Sequence, residues 1–268
     1  MFKHGLAASI AALTLIGLST QLAASPISVN DDYVGSFAGT HGDVVGKESD
    51  FGISSVSVNQ TGSQFDFSIF TNFAEKSGTL FPNITKDGTG IGYGDFFLAN
   101  QWTPEGAVPT SGDNAANGYD LDNAKNGTDW TWGLMLENRY KNDGGDVTLF
   151  ELLGSNSDTA IISDELMTGG DWRDGQEVVI DENSEHVINT SKVGSWTVGA
   201  GQLNISANLS KSDLLGGDSL AFHWGMTCAN DAIEGEVDLK KVPEPGTIGL
   251  VALGLTGLFF LRRRSTKS

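Results

Sequence analysis

Phe65-Asp66-Phe67-Ser68-Ile69 alternates strictly between apolar and polar residues. In an extended strand successive side chains point to opposite faces, so Phe65, Phe67 and Ile69 share one face and Asp66 and Ser68 the other. That is the pattern of a strand with one buried side. Outward from it, similar though less regular runs occur at 53–58, 95–99, 130–136, 147–153, 159–162, 177–180, 195–198, 203–207, 220–224 and 236–239. Asn126-Gly127, Asp87-Gly88, Asn117-Gly118, Gly144-Gly145 and Asp174-Gly175 punctuate the chain, and such pairs favour tight turns. Helical spacing is brief, at 210–215, where Ser210 would cap a turn or two. Strands of this length and turn density predict an all-β fold, a single two-sheet β-sandwich or jelly-roll-like domain over residues 26–241. No internal period points to a solenoid or propeller. The polar stretch 103–129, with Pro104 and Pro109, reads as a long surface excursion between Trp102 and Trp130.

Within 26–241 there are eleven basic and thirty-three acidic residues, a net charge of about −22. Such a surface repels phosphate backbones, so no nucleic acid is expected as partner, and it attracts divalent cations. The domain is long enough to bury a core without staples. Its single cysteine, Cys228, has no internal partner, so the fold stands on packing and the thiol reads as a small buried strand residue.

The two ends read differently from the middle. Lys3 and His4 precede an apolar run, 6–18, followed by Ala23, Ala24 and Ser25. This order predicts a secretory signal peptide over residues 1–25, handled by the Sec translocon and signal peptidase. At the other end Val242-Pro243-Glu244-Pro245 leads into an uncharged run, 246–261, and then Arg262-Arg263-Arg264. The sixteen-residue run is roughly 24 Å as a helix, short of the ~30 Å hydrocarbon core but able to span a thinned bilayer. The arginines would stop transfer and stay on the cytoplasmic side. Pro243 and Pro245 keep the preceding tetrapeptide extended.

Pro243-Glu244-Pro245, the short Gly/Leu-rich span and the basic end, over residues 242–268, resemble the PEP-CTERM sorting signal. The resemblance implies recognition of Pro243, Glu244 and Pro245 by an exosortase, a membrane-embedded processing enzyme of Gram-negative bacteria. It also implies an inner-membrane intermediate, then release to the cell surface or extracellular matrix, in company with exopolysaccharide and biofilm. The segment Phe222-His223-Trp224-Gly225-Met226-Thr227-Cys228-Ala229-Asn230-Asp231-Ala232-Ile233-Glu234-Gly235 is similar to one met upstream of the signal in exported proteins of this group. Phe37 to Ile53 and Tyr93 to Phe97 share that similarity.

Catalytic signals are weak. His223 and Cys228, five apart on one strand, would face opposite sides, and Phe222, Trp224 and Met226 read as a core stripe ending in a turn at 229–231. Thirty-three carboxylates offer glycosidase pairs everywhere and so point to none. No catalytic residue is assigned. Scattered histidines exclude a paired zinc spacing. Oxygen-rich loops nominate a calcium site at Asp120, Asp122, Asp143 and Asp146, without the spacing of an EF-hand. Of six tryptophans, Trp102 and Trp172 sit beside polar loops and are the candidates for stacking on a glycan, whereas Trp130 and Trp132 read as one face of a strand. The first reading is therefore a non-enzymatic exported surface or matrix protein with no obligatory cofactor. A lectin-like, calcium-dependent glycan binder is the alternative, and a secreted hydrolase the third.

Overall fold

The computed structural model describes residues 25–35, 43–106 and 119–239. The expected signal peptide up to residue 24, Pro243-Glu244-Pro245, the apolar run 246–261 and Arg262-Arg263-Arg264 lie outside the described residues.

Twelve strands are formed: β1 (Ile27–Asn30), β2 (Ile53–Thr61), β3 (Gln64–Thr71), β4 (Phe96–Ala99), β5 (Trp132–Leu136), β6 (Gly145–Leu152), β7 (Ala160–Ile162), β8 (Glu177–Ile180), β9 (Val187–Gly199), β10 (Gln202–Asn208), β11 (Ser219–Gly225) and β12 (Ala232–Asp238). Ten of them join one antiparallel sheet in the order β1-β2-β3-β10-β9-β6-β5-β4-β11-β12, and β7 pairs with β8 in a small second sheet. The alternation at β3 does what it predicts: Phe65, Phe67 and Ile69 are fully buried. The turn or two of helix expected at 210–215 is a 3-10 turn at Leu214–Gly216.

The large sheet folds over on itself. β3 and β4 stand five strands apart in its order, roughly 24 Å if the sheet were flat. Yet the Phe67 and Phe96 rings lie 4.6 Å apart, and Phe96 stacks on Phe222 of β11. The two layers of the expected sandwich are thus two halves of one continuous sheet, enclosing an inner core of Val56, Phe67, Leu134, Leu149, Ile205 and Trp224. β12 returns alongside β1 and β2. Gly235 permits that approach, because a Cβ there would sit 2.7 Å from Val29 Cγ1.

A second apolar cluster, on the outer face, joins Phe97, Phe150, Leu152 and Ala221 to Trp130, Ala160 and Ile180. The β7–β8 pair therefore covers part of the face that alternation alone assigns to solvent. Trp130 and Trp132 consequently separate, Trp130 to the outer cluster and Trp132 to the inner core. The strand begins only at Trp132, so its period of two does not run back to Trp130. Asp95 pins the layers together. Its Oδ1 accepts from Leu136 N at 2.9 Å and Arg139 Nη1 at 2.8 Å. Its Oδ2 accepts from Ile180 N at 2.8 Å and Arg139 Nη2 at 3.0 Å. Both oxygens of this buried carboxylate are thus paired twice, which is what makes its burial tolerable.

Candidate functional site, an aromatic cleft over a chain of buried acids

The site grows from the β11–β12 hairpin. Its register sets His223 directly opposite Glu234. With Phe222 and Trp224 turned inward, His223 faces the outer layer, where Tyr33, Phe97 and Trp130 pack around its ring. His223 Nδ1 lies 2.9 Å from Glu234 Oε1, and Nε2 lies 2.8 Å from the main-chain carbonyl of Glu177 on β8. Trp102 Nε1 donates to Glu234 Oε2 at 2.8 Å. The Asp122 carboxyl lies near that of Glu234, close enough for the two charges to oppose each other. Gln176 supports this floor, accepting from Tyr33 OH at 3.1 Å and donating to the Asp122 carbonyl at 2.9 Å. The Asn126-Gly127 turn matters here: Gly127 has φ +141°, and a Cβ would fall 1.6 Å from Asp122 Oδ1.

The proton positions follow from the partners. A carbonyl only accepts, so His223 Nε2 carries a hydrogen. Burial pushes His223 down, leaving its ring neutral and Nδ1 an acceptor. Glu234 must then donate to Nδ1, and burial indeed raises it to about 8. Burial, then the charge of Glu234, raises Asp122 to about 9. Burial also raises Glu177 to about 8. Near neutral pH the result is an uncharged cluster in which Glu234 donates to His223 and His223 to the Glu177 carbonyl, with the Asp122 carboxyl beside them.

Above this floor opens a cleft of about 340 Å3 bordered by Asp32, Tyr33, Trp102, Tyr119, Glu234 and Glu236. Trp102 and Tyr119 meet edge to face at 5.0 Å, and Tyr119 stacks on Tyr33 at 6.0 Å. Trp102 is held from below by Glu234 and at its backbone, whose N–H donates to Glu236 Oε2 at 3.0 Å. Asp32 and Glu236 are exposed acceptors on the rim. A fixed aromatic wall with convergent acceptors is suited to a neutral ligand rich in hydroxyls. It is less suited to acid catalysis, because the Glu234 proton is directed at His223 and not into the cleft.

The sequence-predicted residues do not all gather here. Trp102 and Asp122 belong to the site. Asp120 lies in the turn just before Asp122 and is exposed. Trp172 packs against the inner core, its Nε1 enclosed without a partner. Asp143 is exposed in the β5–β6 turn, and Asp146 on β6 pairs with Lys192, four strand positions from β12. These four aspartates therefore do not converge on one ion. Cys228 is buried with a thiol raised to about 12 by burial, and it contributes no nucleophile. Tyr33 and Glu177 had no motif to announce them, and His223 and Glu234 stood out only as members of the Phe222 to Gly235 segment, with no role attached. The further signal was the opposite-face position of His223 beside an apolar stripe.

No curated protein and no solved structure matches this chain. Residues 241–264 match the PEP-CTERM protein-sorting motif. That motif implies export, passage through the membrane and processing by an exosortase.

Proposed function

We propose that this protein works outside the cell as a non-enzymatic surface or matrix component that holds a neutral polysaccharide of the envelope or biofilm in the Trp102–Tyr119 cleft. The sorting motif supports the destination. The observation that carries the recognition step is the Trp102 indole, fixed at both its ring and its backbone by two glutamates so that its ring borders the cleft. A preset ring costs a ligand little ordering on binding. The absence of an enzymatic role is our reading of the Glu234 proton, which is committed to His223. Signal peptidase would remove the leader, and the apolar tail would anchor the intermediate.

Calorimetry of the full chain in detergent against neutral exopolysaccharide fragments tests this reading. Trp102→Ala should weaken binding on the order of tenfold or more, the loss typical of a central aromatic anchor. Equal binding by wild type and variant would refute it, as would the absence of binding to any neutral glycan. Release of reducing ends from a bound glycan would instead favour a hydrolase.

A further inference from the structure

We propose that Asp31, Asp43 and Asp231 form a calcium site that ties the N-terminal strand to the β11–β12 hairpin, separate from the aromatic cleft. Each offers a carboxylate oxygen, and the three oxygens lie within 4.8 Å of one another. Two oxygens on one Ca²⁺, at 2.3–2.6 Å each, can stand no more than about 5 Å apart, so the spacing fits one ion. Waters would complete a shell of six to eight.

A second observation points to the same ligand. Arg173 is only 2% exposed and faces this cluster, yet its Nε and Nη1 have no hydrogen-bond partner. Its Nη2 donates to the main-chain carbonyl of Asp43. Among the described residues no carboxylate comes within ion-pair distance of that guanidinium, although three stand close by. Asp31 Oδ2 is likewise enclosed and accepts no hydrogen bond. A divalent cation that draws all three carboxyls into their ionised form would leave, with the guanidinium, no net charge in this enclosed space. Asp231 is already fixed, accepting from Ile53 N at 2.6 Å and Ala232 N at 2.9 Å, so one ligand is in place before the ion arrives.

The test uses the full chain in detergent, stripped with EDTA and titrated with calcium chloride against sodium chloride of matched ionic strength. Calorimetry should find one saturable site per chain, and calcium should raise the melting temperature. Asp43→Asn, which removes a charge without removing any backbone hydrogen bond, should weaken binding on the order of tenfold or more and abolish the rise. Asp146→Asn should change neither. No saturable site at millimolar calcium in the wild type overturns the proposal, and needs no variant. A melting rise equal in wild type and Asp43→Asn overturns it too, because the ion would then sit on the general acidic surface. Should Asp43→Asn fail to fold, Asp31→Asn provides the same comparison.

Discussion

Glu234→Gln separates a neutral acid in the folded protein from a charged one. An amide can copy both bonds of the protonated carboxyl, donating to His223 Nδ1 and accepting from Trp102 Nε1. It cannot ionise. Below about pH 4.5 both folded and unfolded wild type hold this proton, and the group makes no difference to stability with pH. Between there and the folded value of about 8 the unfolded chain has released the proton and the folded one has not. Stability therefore falls as pH rises across that window, by up to about 1.4 kcal/mol per unit per proton. From pH 5.5 to 7.5 the loss is on the order of 2 kcal/mol, since part of the titration is shared with Asp122. The variant escapes this loss. Its melting temperature relative to wild type should rise by about 4–8 °C between those two pH values, for a domain of this size. Taking the difference between the two proteins cancels the opposing contribution of His223, which is present in both. Parallel melting curves for the two proteins across that range would refute the neutral chain, and so would a large loss in the variant already at pH 5.5.

Two further outcomes are expected. Phe67→Ala removes a fully buried ring that meets Phe96 across the interior, and should cost about 3–5 kcal/mol, read as a melting temperature lower by about 6–20 °C; a loss under about 1 kcal/mol would mean the sheet does not close there. Replacing Pro243, Glu244 and Pro245 together with alanine should leave the uncut precursor in the membrane fraction on an immunoblot, and normal maturation would contradict the role of the motif.

An inward face could be read residue by residue, because Phe65, Phe67 and Ile69, or Leu220, Phe222 and Trp224, announce it directly; that Ala221 and His223 on the other face of β11 are buried too could not. β9 was legible only at its end. Over Val187–Gly199 Trp196 alone is buried, so most of this strand carries polar residues and shows no stripe. β1 was missed because Ile27–Asn30 is four residues long and follows a leader-like run. The order of strands had no local signal at all, since it depends on which edges meet after the chain has turned. The same limit governs the site. Trp102 and Asp122 drew attention as residues of polar loops, which is where ligands are usually met. Glu234 lay outside the expected strand at 236–239, and packing under Tyr33 and beside Glu177 of β8 makes it a buried acid.

The three stretches singled out by likeness to exported proteins meet in space, and this gives their sequences a physical reason. Phe37 to Ile53 supplies Asp43 and the Ile53 N–H that Asp231 accepts. Tyr93 to Phe97 supplies Asp95, which pins β8 over the outer face, and Phe97, which packs on His223. The segment from Phe222 to Gly235 supplies His223 and Glu234 to the proton chain, Asp231 to the carboxylate cluster and Gly235 to the sheet's closure. One hairpin thus carries the floor of the cleft on its outer face and an apolar stripe on its inner face. An alteration in it should disturb recognition and folding together, whereas Asp43 and Trp102, which reach the hairpin from outside, allow each to be altered alone.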